Sequence, residues 1–320
     1  MKFFTEIPIQ QQTENQIDYQ SKVLLLGSCF VENIGKKFDY FKFQNHQNPF
    51  GVLFQPKAIE QLINHAVKGK VYTADDLFYH NDIWQSFEAH SKLNGLDQAA
   101  VLNGLNAAVK ETRQFLESAT HIVITLGTAW VYLHLESNRI VANCHKVPQK
   151  AFKKELLSSD EVEQSLQRML DAIATVNPNT NVIFTVSPIR HTKDGFVENT
   201  RSKSHLISAI HQLLEASETH QLHYFPSYEI MMDELRDYRF YASDLIHPNQ
   251  VAIDYIWDKF KATWLAPSTV SIMKEVHSIQ SGLQHKPFND TSIQHQKFLN
   301  NLSQKIIAIT KDMKWISFDI

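Results

Sequence analysis

Apolar positions along the chain fall into two alternating kinds of stretch. Four short, nearly unbroken apolar runs occupy residues 23–26, 122–126, 182–186 and 222–225. Each has the length of a buried strand. The first three are rich in Val, Ile and Leu with little polar alternation, as expected of strands covered on both faces. Between them, apolar residues recur at helical spacing. Residues 56–67 carry the stripe Ile59, Leu62, Ile63 and Ala66, and residues 97–116 repeat it through Val101, Leu105, Val109 and Leu116. Residues 159–176 open on Ser-Asp-Glu, a helix-start signal, and continue through Val162, Leu166, Met169, Leu170 and Ile173. Helices are also predicted over 30–38, 199–214 and 248–264, and a short run at 40–43 precedes a further loop.

Strands alternating with helices predict an α/β fold, a three-layer sandwich with a central parallel sheet. Right-handed crossovers bring the C-terminal strand ends to one edge, where open α/β sheets bind ligands. The loops of interest are therefore 27–30, 127–132, 187–195 and 226 onward. Residues 71–93, with Tyr72, Phe78, Tyr79, Trp84 and Phe87, read as a cap or an irregular insertion. After Pro267 the pattern gives helices over 270–283 and 293–313. The expected organisation is a main α/β domain over 1–265 with a helical extension over 266–320 packed on it.

Composition narrows the function. Lys and Arg number 31 against 34 Asp and Glu, a net charge of −3, which makes no electrostatic case for nucleic acid. Residues 1–12 lack the basic start and sustained apolar stretch of a secretory signal, and no segment reaches membrane-spanning length. Two distant cysteines, Cys29 and Cys144, form no disulfide framework and fit a reducing compartment, so a cytoplasmic location is expected. None of the nine glycines is spaced as G-x-G. No phosphate loop, G-x-S-x-G elbow, H-E-x-x-H or zinc set occurs, so no cofactor or metal is implied.

Two segments carry chemistry. In the first, a buried strand opens directly into Gly27-Ser28-Cys29-Phe30. Gly permits a tight turn, and a hydroxyl or thiol there begins a helix whose N-terminus favours an anion. The same residues would equally serve as a helix cap beside a small buried thiol. In the second, Asp244-Leu245-Ile246-His247-Pro248 places a His just before a Pro-initiated helix. Three-residue spacing lets the carboxylate fold back on the imidazole and fix its tautomer, leaving the other nitrogen as base. A polar turn ahead of an amphipathic helix is the plainer account of that segment.

Together these segments resemble the SGNH/GDSL-like hydrolase superfamily. More closely they resemble the GSCFA family, named for the motif that Gly27-Ser28-Cys29-Phe30 carries here, with Val31 in place of its alanine. Asn48-Pro49-Phe50-Gly51, Leu126-Gly127-Thr128-Ala129-Trp130 and Ser187-Pro188-Ile189-Arg190-His191 extend the likeness over most of the chain. The resemblance implies a flavodoxin-like sandwich acting on an acyl ester, carbohydrate esters included, through a nucleophile, His247 and Asp244. Aligned on Gly27, Cys29 takes the place of the nucleophilic Ser, and Ser28 takes it if the turn shifts by one. Asn48 and Gly51 match the second block. In the third, Ala129 stands where an oxyanion Asn is expected, a loss worth about 3–4 kcal/mol of transition-state stabilisation unless Thr128 or another group replaces it. Arg190 and His191 are candidates for substrate binding or oxyanion donation, and Trp84, Trp130 and Tyr132 for a sugar-stacking wall or for core packing. An acyltransferase would use the same residues. A ligand-binding or scaffold protein that has lost catalysis is the alternative from another class.

Overall fold

Strand β1 (Lys22–Gly27) buries every residue after its first. It lies one strand in from the edge of the parallel sheet in the computed structural model, which covers residues 5–217 and 221–318; residues 1–4 of the segment weighed above as a leader lie outside it. β1 pairs in parallel with β2 (Gln44–Gln47) on one side. On the other it pairs with β5 (His121–Leu126), followed by β9 (Asn181–Val186) and β10 (Leu222–Phe225), all parallel. The order β2-β1-β5-β9-β10 reverses direction between β1 and β5. That is the switch point at which open α/β sheets leave a crevice beyond their strand ends.

Side chains alternate across the sheet and build two cores. Leu24, Leu26, Ile122, Ile124, Val182 and Phe184 face helices α2 (Pro56–Lys68), α3 (Gln98–Ser118), α4 (Ser159–Val176) and α5 (Phe196–Ala216). Val23, Leu25, Val123, Ile183 and Phe225 face α1 (Cys29–Tyr40) and α7 (Gln250–Trp264). The C-terminal α8 (Thr269–Leu283) and α9 (Ile293–Asp312) join this second core through Met273, Val276, Leu302 and Ile309. The three-layer α/β/α arrangement expected from the alternation is the one observed.

Three details differ from the sequence reading. The run at 40–43 is the end of α1 and its exit, and the strand is the polar Gln44–Gln47. β2 pairs only with β1 and stays half-buried, so it carries no apolar signature. A three-stranded antiparallel sheet follows β5: β6 (Trp130–His134), β7 (Arg139–Val141) and β8 (Phe152–Leu156). Within 71–93, a hairpin of β3 (Phe78–His80) and β4 (Ile83–Gln85) is tied down by a buried Tyr72 and by Trp84 packing on the first core. The remaining short helix, α6 (Ser227–Glu229), follows β10.

Candidate active site

At the end of β1 the chain turns within one residue. Gly27 has φ +131°, donates its N–H to Asn48 Oδ1 at 2.9 Å and accepts the Leu53 N–H at 3.1 Å. A Cβ built there would lie 2.1 Å from the Thr125 carbonyl oxygen on the neighbouring strand, so only glycine fits. Ser28, 1% exposed, is the N-cap of α1, and its Oγ accepts the Phe30 N–H at 3.3 Å. Cys29 is the first residue of α1, and its Sγ stands 4.0 Å from His247 Nε2, at the outer limit for a sulfur hydrogen bond.

The loop before α7 shapes the His side of this pair. Asn249 caps α7 by accepting the Ala252 N–H at 3.1 Å, and the Ala242 N–H closes the loop on the His247 carbonyl at 2.7 Å. Leu245 takes φ +57°, a costly conformation for a bulky residue, within the tight turn that brings Asp244 back onto the His247 ring. Asp244 Oδ1 accepts the N–H groups of Ile246 (2.9 Å) and His247 (3.0 Å), while Oδ2 lies 2.6 Å from His247 Nδ1. The backbone N–H donors, His247 first, and then the imidazole itself hold the Asp244 carboxyl down at about 2. Asp244 therefore stays ionised over the working pH range, fixes the proton on Nδ1 and leaves Nε2 facing Cys29 as acceptor.

Burial pushes the Cys29 thiol above its ordinary value, and Glu32 adds to the rise. The N–H groups of Cys29 and Phe30 and the charge of Lys203 oppose it without overcoming it. The helix N-terminus thus does not by itself produce a resting thiolate, and the sulfur needs a base. Lys203 is the main feature missed in the sequence, where it is one polar residue within the helix predicted over 199–214. It lies on the buried stripe of α5 with Asn199, Ser202 and Leu206, and its Nζ donates to the Ser187 carbonyl at 2.7 Å. Burial lowers its pKa to about 7, against the raising influence of Cys29 and Glu229.

A prediction follows for stability. Between pH 7 and the ordinary lysine value the unfolded chain carries a proton at this position that the folded chain lacks. Stability should therefore rise with pH over that window, by at most about 1.4 kcal/mol per pH unit from this group. Denaturant unfolding of Lys203→Met between pH 7 and 10 should show that slope flattened.

The remaining candidates divide by what already engages them. The Gly51 N–H donates to the Asn48 carbonyl (2.7 Å), and the Gly127 and Thr128 N–H groups both donate to the Phe54 carbonyl (2.7 and 3.2 Å). Thr128 Oγ1 is shared between Ser202 Oγ (2.8 Å) and the Trp130 N–H (3.1 Å). Arg190 donates its N–H to the Ile246 carbonyl at 3.3 Å, and its guanidinium lies over Phe196 and Tyr241 at 5.0 and 5.7 Å, bracing the His247 loop. Asn48 and His191, at this edge, hold free hydrogen-bonding atoms. Asn48 Nδ2 is buried without a partner, its Oδ1 being fixed on Gly27. His191 Nε2 is likewise buried and unpartnered, and lies 3.1 Å from where a Gly127 Cβ would be. Burial, then Lys203 and His247, lower the His191 pKa to about 3, so its imidazole is neutral.

A cavity of about 370 Å³ around Asn177, Thr180 and Gln221 opens at the opposite, N-terminal edge of the strands, away from Cys29 and His247. Among the described residues no group of three or more His, Cys, Asp or Glu side chains gathers to hold a metal. Nor is any helix long and apolar enough to cross a membrane.

Residues 22–260 match the model of the GSCFA family, and residues 276–319 match that of the GSCFA domain protein C-terminal domain. No curated protein matches the chain. Solved structures similar to it include an acetyl esterase mutant crystallised with acetate, at 13% identity and TM-score 0.38, covering 80% of this chain and 99% of that one. Another is an acetyl xylan esterase from the rumen bacterium Butyrivibrio proteoclasticus, at 10% identity and TM-score 0.39, covering 77% of this chain and 66% of that one.

Proposed function

This chain belongs to the GSCFA family, and on that footing we propose that it is an SGNH-like esterase or deacylase working through Cys29, His247 and Asp244. The observation that carries the reading is the line from Asp244 Oδ2 to His247 Nδ1 at 2.6 Å and from His247 Nε2 to Cys29 Sγ at 4.0 Å. Nucleophile, base and orienting carboxylate stand in order at the switch point of the sheet. Ser28 caps α1 and is buried, which supports Cys29 over Ser28 as the nucleophile.

In the reaction, Sγ attacks the acyl carbonyl carbon as its proton passes to His247 Nε2, the 4.0 Å gap shortening when substrate seats. A C–S bond forms and the carbonyl π pair moves to oxygen. The oxyanion meets the Cys29 N–H at the start of α1, with Asn48 Nδ2 and His191 Nε2–H in place of the missing Asn. Collapse expels the alkoxide, which takes the proton from His247, and a thioester remains. Water, deprotonated by His247, then attacks the thioester, releasing the acid and restoring the thiol. A hydroxyl acceptor in place of water would give acyl transfer by the same residues.

The test is turnover of a short p-nitrophenyl ester. His247→Ala should lower kcat/KM by roughly 10³-fold, within the range for losing a general base. Equal turnover by wild type and His247→Ala would remove the proposal.

A further inference from the structure

Beside Phe54, whose ring lies 5.7 Å from that of His191, a second cavity of about 260 Å³ opens between the loop after β2 and the β6–β7 hairpin. Its lining includes Val52, Phe54, Gln55, Trp130, Tyr132 and Asn143. Val52 and Phe54 flank Leu53, whose N–H binds the Gly27 carbonyl, so the segment that walls the cavity is tied to the turn that presents Cys29. Its volume is just under the 300–1,000 Å³ usual for small-ligand sites, about right for one sugar-sized group.

Gln55 is the residue that asks for a ligand. It is only 3% exposed, and neither Oε1 nor Nε2 has a hydrogen-bond partner. It occupies the N-cap of α2 without making a side-chain cap. A buried amide left unsatisfied is costly, and here neither helix capping nor an internal network explains it. The rest of the lining is neutral. Burial lowers the pKa of His90, which also lines the cavity, and Lys154, which sits 4.6 Å over Trp130 and 5.8 Å over Tyr132, is ion-paired with Asp194. Aromatic faces beside amides, with no unpaired charge, suit a ring that is apolar on its faces and hydroxylated at its rim.

We propose that this cavity is the subsite for the leaving-group side of the ester, and that it takes a neutral polyhydroxylated ring, a sugar carrying the acyl group. The assignment rests on the Cys29–His247–Asp244 reading for its chemistry, but its test needs no turnover. Full-length Cys29→Ala protein labelled with 5-fluorotryptophan, its Trp130 resonance identified with Trp130→Phe, is titrated with a monoacetylated methyl glucoside and with n-butyl acetate. The Trp130 resonance should move with the sugar and not with butyl acetate. Gln55→Leu should weaken sugar binding roughly five- to tenfold, while the thermal midpoint holds or rises because an unsatisfied amide has left the core. A Trp130 resonance that stays fixed with tens of millimolar sugar, or moves equally with both esters, overturns the assignment, as does unchanged affinity in Gln55→Leu. The comparison of the two esters on Cys29→Ala with Gln55 intact decides the matter if Gln55→Leu does not fold. No ester turnover by the wild type, with sugar binding to Cys29→Ala intact, would instead count against the triad.

Discussion

Replacing Cys29 by Ala should reduce kcat/KM on an activated ester by roughly 10⁵-fold, more than the loss of His247, because without the sulfur no covalent intermediate forms, whereas without the base the thiol can still attack slowly. The neighbouring Ser28→Ala should behave quite differently. Ser28 Oγ accepts the Phe30 N–H and is 1% exposed. Its loss should therefore cost about 1 kcal/mol of stability, as for other N-caps, and leave the rate within an order of magnitude. Alkylation distinguishes the two cysteines independently. Burial drives Cys144 up to about 11, whereas around Cys29 the N–H groups of Cys29 and Phe30 oppose the rise. Iodoacetamide should accordingly label Cys29 first, at a rate still climbing above the ordinary thiol pKa. Steady-state kinetics of both variants and peptide mapping of the labelled protein check these outcomes. Full activity in Cys29→Ala with none in Ser28→Ala would exchange the two roles.

Gly27→Ala should be the most destabilising single-methyl change in the site. The residue sits at φ +131°, and the new Cβ would come 2.1 Å from a strand carbonyl that is itself bound by the Ser28 N–H at 3.0 Å. Neither group can yield without opening the β1–β5 pairing. Strain at a glycine-only conformation costs about 1–3 kcal/mol and overpacking a similar amount, so a loss of about 3–5 kcal/mol is expected. Gly69→Ala offers the comparison, since at φ +65° a Cβ there would meet nothing within 4 Å. It should lose only the milder backbone cost of about 1 kcal/mol. Denaturant midpoints of the two variants would show the difference, and equal losses would mean that the contact with Thr125 carries no weight.

How far the chain could be read depended on whether a residue's surroundings leave a mark on its neighbours. β1, β5 and β9 are covered on both faces, so their apolar runs were unmistakable, and they placed 27–30 and 127–132 at one edge. β2 has a single neighbour and wet faces, and its Gln-Asn-His-Gln resembles a loop. The β6–β8 sheet hides for a related reason, since Phe-Lys-Lys-Glu-Leu exposes the middle of β8. Cys29, Asp244 and His247 could be singled out because Gly27 and Pro248 punctuate the chain beside them. Lys203 and Gln55 could not. Lys203 is a polar residue within a helix and Gln55 the residue at the N-cap of one, and only their places beside Leu206 and just ahead of Ala58 and Ile59 hint that water is absent. The helix-terminus argument for a ready thiolate at Cys29 was sound in sign, yet desolvation outweighs it once the sulfur is enclosed.

The acyl-enzyme is the most direct witness to the chemistry. Wild-type protein mixed with a short p-nitrophenyl ester and quenched in acid within milliseconds should gain the mass of one acyl group. Proteolysis should place that group on the peptide containing Cys29, as a thioester cleaved by neutral hydroxylamine. An acyl group on the Ser28 oxygen, or brisk turnover with the thiol of Cys29 never acylated, would contradict the account.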